Sequence, residues 1–437
     1  MSASQKASQS PLFVKARLVA AAAREQGGRA LLVGGYVRDE LLGLQPKDAD
    51  LEVYRIEAGA LRQLLGRFGR VDCVGESFRV YKLVWYARDE AGEKQRYELD
   101  VSLPRRDRKV GEGHRGFEVE GDPNATVEEA ARRRDFTLNA ILRDPLTDEI
   151  IDPYGGRADL NARVLRAVDA KHFGEDSLRV LRACQFAARF AMTVEPQTVA
   201  LCRTIDLGDL PRERIWGEWE KLLLKAPTPS AGLLVAQQLG VLRQLFPELE
   251  TAVVRREELL LPALDRAAQE KSTLDYARQA TLMLATLGSF LGWRGTRGLL
   301  ESLGIFTMEG YDVRRQTIAI AGERKRVREW FLRRDSITDR DLRFLSARVE
   351  PRLVYHLARA RGDFEAAEWF IGRMRALDVE YGPPPPLLMG RHLLDMGLKP
   401  GPQIGEITRA VYMMQLSGEV TTLEEAMAAA RRMIEDQ

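Results

Sequence analysis

The sequence predicts an α+β domain at the front of the chain, with a mixed sheet, followed by all-helical domains. Strand-like segments fall early: Arg29–Val33, Ala49–Tyr54, Arg79–Tyr86, Arg96–Leu103 and Glu149–Asp152. Beyond about residue 170 the apolar spacing is helical almost throughout. Strands first and helices after is the pattern of an α+β domain joined to helical ones. With 437 residues the chain exceeds what one core usually supports.

The elements follow in order. Residues 1–11 are polar and lack a signal-peptide core, so a frayed tail is expected before a first helix. Leu31–Leu32–Val33 is an apolar strand running into Gly34–Gly35, and a short helix, Val37 to Leu42, ends at Gly43. Residues 48–54 alternate, which puts Asp48 and Asp50 on one face and Ala49, Leu51 and Val53 on the other. Leu233–Leu249 and Leu259–Trp293 read as antiparallel helices. Gly382–Pro383–Pro384–Pro385–Pro386 is a stiff linker to a terminal module starting near Leu387. In that module Gly401–Pro402 suits a helix start, and Thr421–Thr422 with Glu424 and Glu425 suits a capping box.

Composition excludes some classes. Hydrophobic content of 45% and charged content of 30% are those of a globular protein, and no apolar run approaches the ~20 residues of a membrane span. Cys73, Cys184 and Cys202 have neither metal nor disulfide spacing, so a cytoplasmic location is expected. The net charge of +2 hides basic clusters at Arg105–Lys109, Arg132–Arg134, Arg324–Arg326 and Arg333–Arg334, any of which suits a local RNA-binding stripe.

Three constellations carry chemistry. Asp48 and Asp50 repel unless a cation lies between them, and oxygen-only ligands favour Mg2+. Gly34–Gly35, about a dozen residues upstream, lets backbone N–H groups approach a phosphate. Arg132–Arg133–Arg134 beside an expected helix supplies forked donors, with Arg134 the candidate triphosphate clamp. On a helix, Glu175, Arg179, Arg182, Phe186 and Arg189 share one face, with Asp176 at its border. An acceptor beside a donor fork matches the Watson–Crick edge of cytosine or adenine and rejects uracil and guanine. The bland readings are a solvated strand face, a basic helix face and an i,i+4 ion pair.

In this order and spacing, the motifs resemble the class II tRNA nucleotidyltransferases, or CCA-adding enzymes, a polymerase-beta-like branch shared with bacterial poly(A) polymerases. Gly34–Asp39 through Asp48 and Asp50 is similar to motif A, Arg133–Ala140 to motif B, and Asp152–Gly156 with Asp159–Leu160 and Leu165–Arg166 to motif C. Glu175–Asp176–x–x–Arg179 is similar to motif D, and Glu213–Ile215 with Glu218 and Lys221 to motif E. Leu387–Gly390 and Gly401–Gly405 resemble the RNA-holding tail. The resemblance implies an N-terminal segment with a helix (1–27), a nucleotidyltransferase head (28–167), a neck (168–225), a body (226–380) and a tRNA-binding tail (381–437).

It further implies template-independent addition of CCA to the tRNA 3′ end from CTP and ATP, with two-metal chemistry. Asp48 and Asp50 would hold Mg2+, and Asp100 is the candidate third catalytic carboxylate. Gly34, Gly35, Arg38 and Arg134, with Asp135 and Asn139 of the same motif, would hold the nucleotide. Asp176 and Arg179 would read the base, Glu175 would orient the arginine, and Arg182 would sit against the nucleotide. Many members carry Arg where this chain has Gln185. The segment Arg105–Phe117 resembles the flexible loop needed for AMP addition, which favours full CCA or A-only addition. Poly(A) polymerase is the nearest rival, but Gly75–Lys82 departs from its usual strand. None of the four histidines precedes Asp, against an HD phosphohydrolase module. A non-catalytic RNA-binding protein would have lost Asp48, Asp50 or Arg179, and all three are present.

Overall fold

The computed structural model describes residues 10–74, 80–88, 92–109 and 117–435. Helix α1 (Pro11–Glu25) starts where Ser10 Oγ accepts from the Phe13 N–H at 3.1 Å and Pro11 takes the first helical position. The strand β1 (Arg29–Val33) and its neighbour β2 (Asp50–Tyr54) are each buried at four of five positions, so they lie inside a sheet. Between them runs α2 (Gly35–Leu41), and beyond β2 comes α3 (Ala58–Leu65).

The remaining strands are β3 (Arg70–Val74), β4 (Val80–Arg88), β5 (Lys94–Ser102), β6 (Arg105–Lys109), β7 (Phe117–Gly121), β8 (Leu142–Arg143) and β9 (Ile150–Ile151), with a separate short parallel pair, β10 (Val164–Leu165) and β11 (Thr193–Val194). Seven form one sheet in the order β3-β4-β5-β2-β1-β8-β9, while β6 and β7 pair as a separate antiparallel hairpin. Within the large sheet only β2 and β5 run parallel. That crossover matters because it aligns Asp50 with Asp100.

Helix α4 (Val127–Arg132) begins with a complete capping box, Thr126 to the Glu129 N–H and Glu129 back to the Thr126 N–H. Its Ala130 and Ala131 pack with Leu31, Val33, Tyr54, Ala140 and Leu142. Helix α5 (Gly156–Ala162) starts where both Asp152 oxygens accept backbone N–H groups, from Gly156 at 2.7 Å and Arg157 at 2.9 Å. Helix α6 (Leu178–Phe190) buries ten of its thirteen residues.

The chain divides into two compact units, one of residues up to Leu210 with Leu234–Val241, the other of Pro211–Leu233 with the chain from Leu242 onward. The second is helical. Its terminal module packs Leu388, Leu393, Ile407, Val411, Val420 and three alanines into a small core. Gly401–Pro402 starts a helix as expected, and Glu425 exchanges hydrogen bonds with Thr421 and Thr422. The proline run does not stand free. Tyr412 donates to Pro384 O at 3.0 Å, and Gln415 donates to Pro385 O at 2.9 Å.

Several boundaries differ from the sequence expectation. The strand β2 begins at Asp50, so Asp48 lies in the approach to the strand and not on its face. The Leu233–Leu249 segment is broken at Leu239–Gly240 and again at Phe246, because Gly240 takes a positive φ and Pro247 starts a new helix. Leu259–Trp293 likewise spans two helices, split by the turn at Lys271–Leu274 before the Asp275 cap. Residues 75–79 and 110–116, which carry much of the two segments weighed as rival strand and flexible loop, lie outside the described residues.

Candidate active site

The parallel ladder between β2 and β5 sets Asp50 directly beside Asp100, and the Asp100 N–H donates to Ala49 O at 3.1 Å. A cavity of about 380 Å3 opens here, lined by Asp50, Glu52, Asp100, Arg133, Arg134 and parts of β1, β4 and α4. Burial within this cleft raises the Asp50 carboxyl above the usual range; Arg134 opposes the shift, while Asp100, Glu52 and Asp48 reinforce it. Asp48 is exposed, yet near enough for its charge to act on Asp50.

Gly34 provides the floor. Its φ of +65° belongs to the region glycine tolerates, and a Cβ there would meet Arg134 Nη1 at 2.9 Å and Asp50 Oδ2 at 3.9 Å. Arg134 therefore lies across the glycine turn, next to Asp50. Glu52 fixes it, accepting from Nη2 at 2.6 Å, and Tyr54 donates its hydroxyl to the other Glu52 oxygen at 2.9 Å. That contact, with burial as the larger cause, pushes the Tyr54 phenol far up.

Arg38 is buried, not on the cleft wall. It donates to Asn139 Oδ1 at 2.8 Å, pairs with Asp39, and stacks over Phe186 and Phe190 of α6. Asn139 donates on to Asp135 Oδ1, which also accepts the Phe136 N–H, both at 2.8 Å; Arg182 donates to Asp135 Oδ2 at 2.6 Å. Burial pushes the Asp135 carboxyl up, but Arg182, Asn139 and the Phe136 N–H together hold it below the ordinary range. One chain of side chains thus ties the glycine-turn helix to motif B and on to α6.

Motif C joins the same frame. Thr137 donates its hydroxyl to Asp159 at 2.7 Å, Arg166 pairs with that carboxylate at 3.1 Å, and Gly156 sits so close that a Cβ would lie 2.2 Å from Thr137 O. Arg179 donates to His172 O at 2.9 Å and to Arg133 O at 2.8 Å, which brings it to the residue preceding Arg134. Glu175 and Asp176 were expected on its helix and are not: Glu175 ends a 3-10 turn, Asp176 is extended with its Oδ1 accepting the Leu178 N–H, and α6 starts at Leu178. The Asp-Ser pair favours that local cap over one continuous helix. Gln185 is buried and accepts from Arg189 at 3.1 Å. Gly35 is half-buried in the first turn of α2.

Sequence reasoning missed Glu52, Tyr54, Lys82 and Glu98. Lys82 Nζ lies 2.7 Å from Glu98 Oε2 and 3.4 Å from Asp100 Oδ1, across the β4–β5 ladder. Glu52 shares the alternation of Asp50, so its position on the cleft side was readable; Lys82 needed the strand register.

Residues 30–166 match the model of the poly A polymerase head domain, and residues 191–253 match that of a probable RNA- and SrmB-binding site of polymerase A. This part of the chain is thus similar to a poly A polymerase head domain. The cleft described above falls within it. A multifunctional CCA protein of Xanthomonas campestris pv. campestris is 40% identical over 255 residues, which cover 56% of this chain and 58% of that protein. One of Vibrio parahaemolyticus is 38% identical over 264 residues, covering 59% and 60%. The match therefore spans about six tenths of these relatives. In fold, the chain resembles the Bacillus stearothermophilus CCA-adding enzyme in complex with CTP, with a TM-score of 0.67 at 21% identity, covering 98% of this chain and 100% of that one. The Thermotoga maritima CCA-adding enzyme complexed with tRNA gives 0.62 at 20%, covering 99% of each. No helix among the described residues is long and apolar enough to cross a membrane.

Proposed function

We propose that the protein adds CCA to the 3′ end of tRNA without a nucleic-acid template, using CTP and ATP and releasing pyrophosphate. The carrying observation is the Asp50–Asp100 pair in a cleft floored by Gly34 and walled by Arg134, within the matched head domain. Its relatives at 38–40% identity are CCA proteins, which favours this reading over poly(A) synthesis.

Among the described residues, no three His, Cys, Asp or Glu side chains cluster tightly enough to enclose an ion alone. Mg2+ does not require such a cage, since it is commonly held by one or two carboxylates together with substrate phosphates and water. Asp50 and Asp100, repelling each other on adjacent strands, fit that donor set, with Asp48 completing it from the approach to β2. When bound, Mg2+ activates the attacking hydroxyl and neutralises charge on the phosphates.

The chain's own residues do the rest. Gly34 lets the triphosphate approach the backbone, and Arg134, braced by Glu52, presents its guanidinium to the phosphates. Arg38, Asn139, Asp135 and Arg182 form the rigid link between this cradle and α6. Asp176 and Arg179, with Glu175 beside them, supply the acceptor and donor pattern for cytosine or adenine. The helical body (226–380) and tail (381–437) hold the acceptor arm by backbone and shape, as suits a substrate common to all tRNAs.

The test uses tRNA transcripts ending before CCA, after C and after CC, each with CTP, ATP or both. Growth of all three to CCA, then arrest, is expected. Extension of the CC-ended transcript alone means A-only addition, and a long adenylate ladder means poly(A) polymerase. Binding of tRNA with no extension would leave an RNA-binding protein.

A further inference from the structure

Lys82 and Glu98 have no part in the reading above, yet their placement is specific. The β4–β5 register puts Lys82 directly opposite Asp100, with Glu98 two residues along β5 on the same face. One ammonium therefore serves two carboxylates, and unequally: Nζ is 2.7 Å from Glu98 Oε2 and 3.4 Å from Asp100 Oδ1. Asp100 Oδ1 is itself buried and takes no well-directed hydrogen bond. Arg96 also pairs with Glu98, at 2.5 Å, so Glu98 is anchored from both sides. The arrangement resembles the one across the cleft, where Arg134 pairs with Glu52 while its charge also acts on Asp50.

We propose that Lys82 competes with the divalent cation for Asp100, and that Glu98 is a positioning residue that weakens this competition by holding the ammonium back. The inference rests on the metal-holding role proposed for Asp50 and Asp100. A cation 3.4 Å from one carboxylate oxygen opposes a second cation at the same group, because like charges at that range repel and because the carboxylate's lone pairs are shared. Shortening the Lys82–Asp100 contact strengthens the opposition, and Glu98 prevents that shortening. The competition does not close the site to metal but sets the concentration at which it fills, so a nucleotide bringing its own phosphates gains leverage over loading.

The experiment measures Mn2+ binding to the full chain by electron paramagnetic resonance, without nucleotide. Both side chains are about a third exposed, so substitutions leave the core intact. Lys82→Met should tighten Mn2+ binding by roughly 3- to 10-fold, and Glu98→Gln should weaken it by a similar factor. Simple charge removal would give the same signs, so the double variant decides. In the Lys82→Met background Glu98→Gln should lose its effect, because Glu98 acts through the lysine. An equal weakening in both backgrounds, or no tightening in Lys82→Met, overturns the proposal. Asp50→Asn separates it from its premise: if that variant binds Mn2+ as well as the unsubstituted protein, the carboxylate–metal reading itself fails.

Discussion

Asp135 is the junction on which the head's internal frame depends, and Asp135→Asn tests it. Three donors converge on its carboxylate: the Phe136 N–H and Asn139 at 2.8 Å and Arg182 at 2.6 Å. Asparagine keeps one oxygen for the first two and turns an amide donor toward the Arg182 donor. A hydrogen bond to a charged group contributes about 1.5–3 kcal/mol. Arg182 is 36% exposed, so water replaces part of what is lost, and the net cost falls to about 1–2 kcal/mol. The sign with pH follows from the depressed carboxyl of Asp135. Its stabilisation is fully present above the unfolded value of about 3.9 and is lost as pH falls through the lower folded value. Urea unfolding read by hydrogen exchange in head peptides isolates this unit from the helical one. The gap between the two proteins should be constant from about pH 7 to 5 and narrow below about pH 4. A gap of equal size at both ends would refute the role of the ionised Asp135–Arg182 pair.

Further outcomes follow from the same geometry. Gly34→Ala forces a Cβ into a positive-φ turn and against Arg134; at about 1–3 kcal/mol this should weaken CTP and ATP binding by roughly 5- to 150-fold, and unchanged affinity in a fluorescence titration would count against the floor role. Arg179→Ala should damage discrimination against UTP and GTP, by about 1–3 kcal/mol in single-addition rates, more than it weakens triphosphate binding. In the helical unit Lys271 is buried against Leu223 O, and burial pushes its ammonium down to about 8. The unfolded chain then binds the extra proton between about pH 8 and 10.4, so the stability of this unit should rise by about 3 kcal/mol across that window. Lys271→Met should remove the rise, as urea midpoints at pH 7, 8.5 and 10 would show.

Much of the head was legible in the sequence because its signals are local. The glycine turn, the alternation after Asp50 and the apolar runs of β1 and β2 each depend on neighbouring residues, and all appear in the structure. Asp100 was readable as a candidate from its own alternation, but its adjacency to Asp50 needed the parallel crossover that brings β5 beside β2. Lys82 meets Glu98 and Asp100 across strands, so its partners are fixed by register, which no local pattern reports, and Glu52 meets Arg134 across 82 residues of sequence. The misread helix at Glu175 has a local cause: Asp176 caps the Leu178 N–H and competes with helix continuation. Arg38 was a candidate through the family resemblance, and its stacking on Phe186 and Phe190 was not legible because it depends on a helix about 150 residues away in sequence.

The central claim is that a protein site, and no nucleic-acid template, selects two nucleotides in a fixed order and then stops. Its most direct test is to incubate a tRNA transcript lacking its last three nucleotides with the protein, Mg2+ and all four nucleoside triphosphates, and to sequence the 3′ ends. The account predicts a single dominant product ending in CCA, with neither U nor G and no further growth. Ends carrying long adenylate runs, or all four nucleotides mixed, would contradict it.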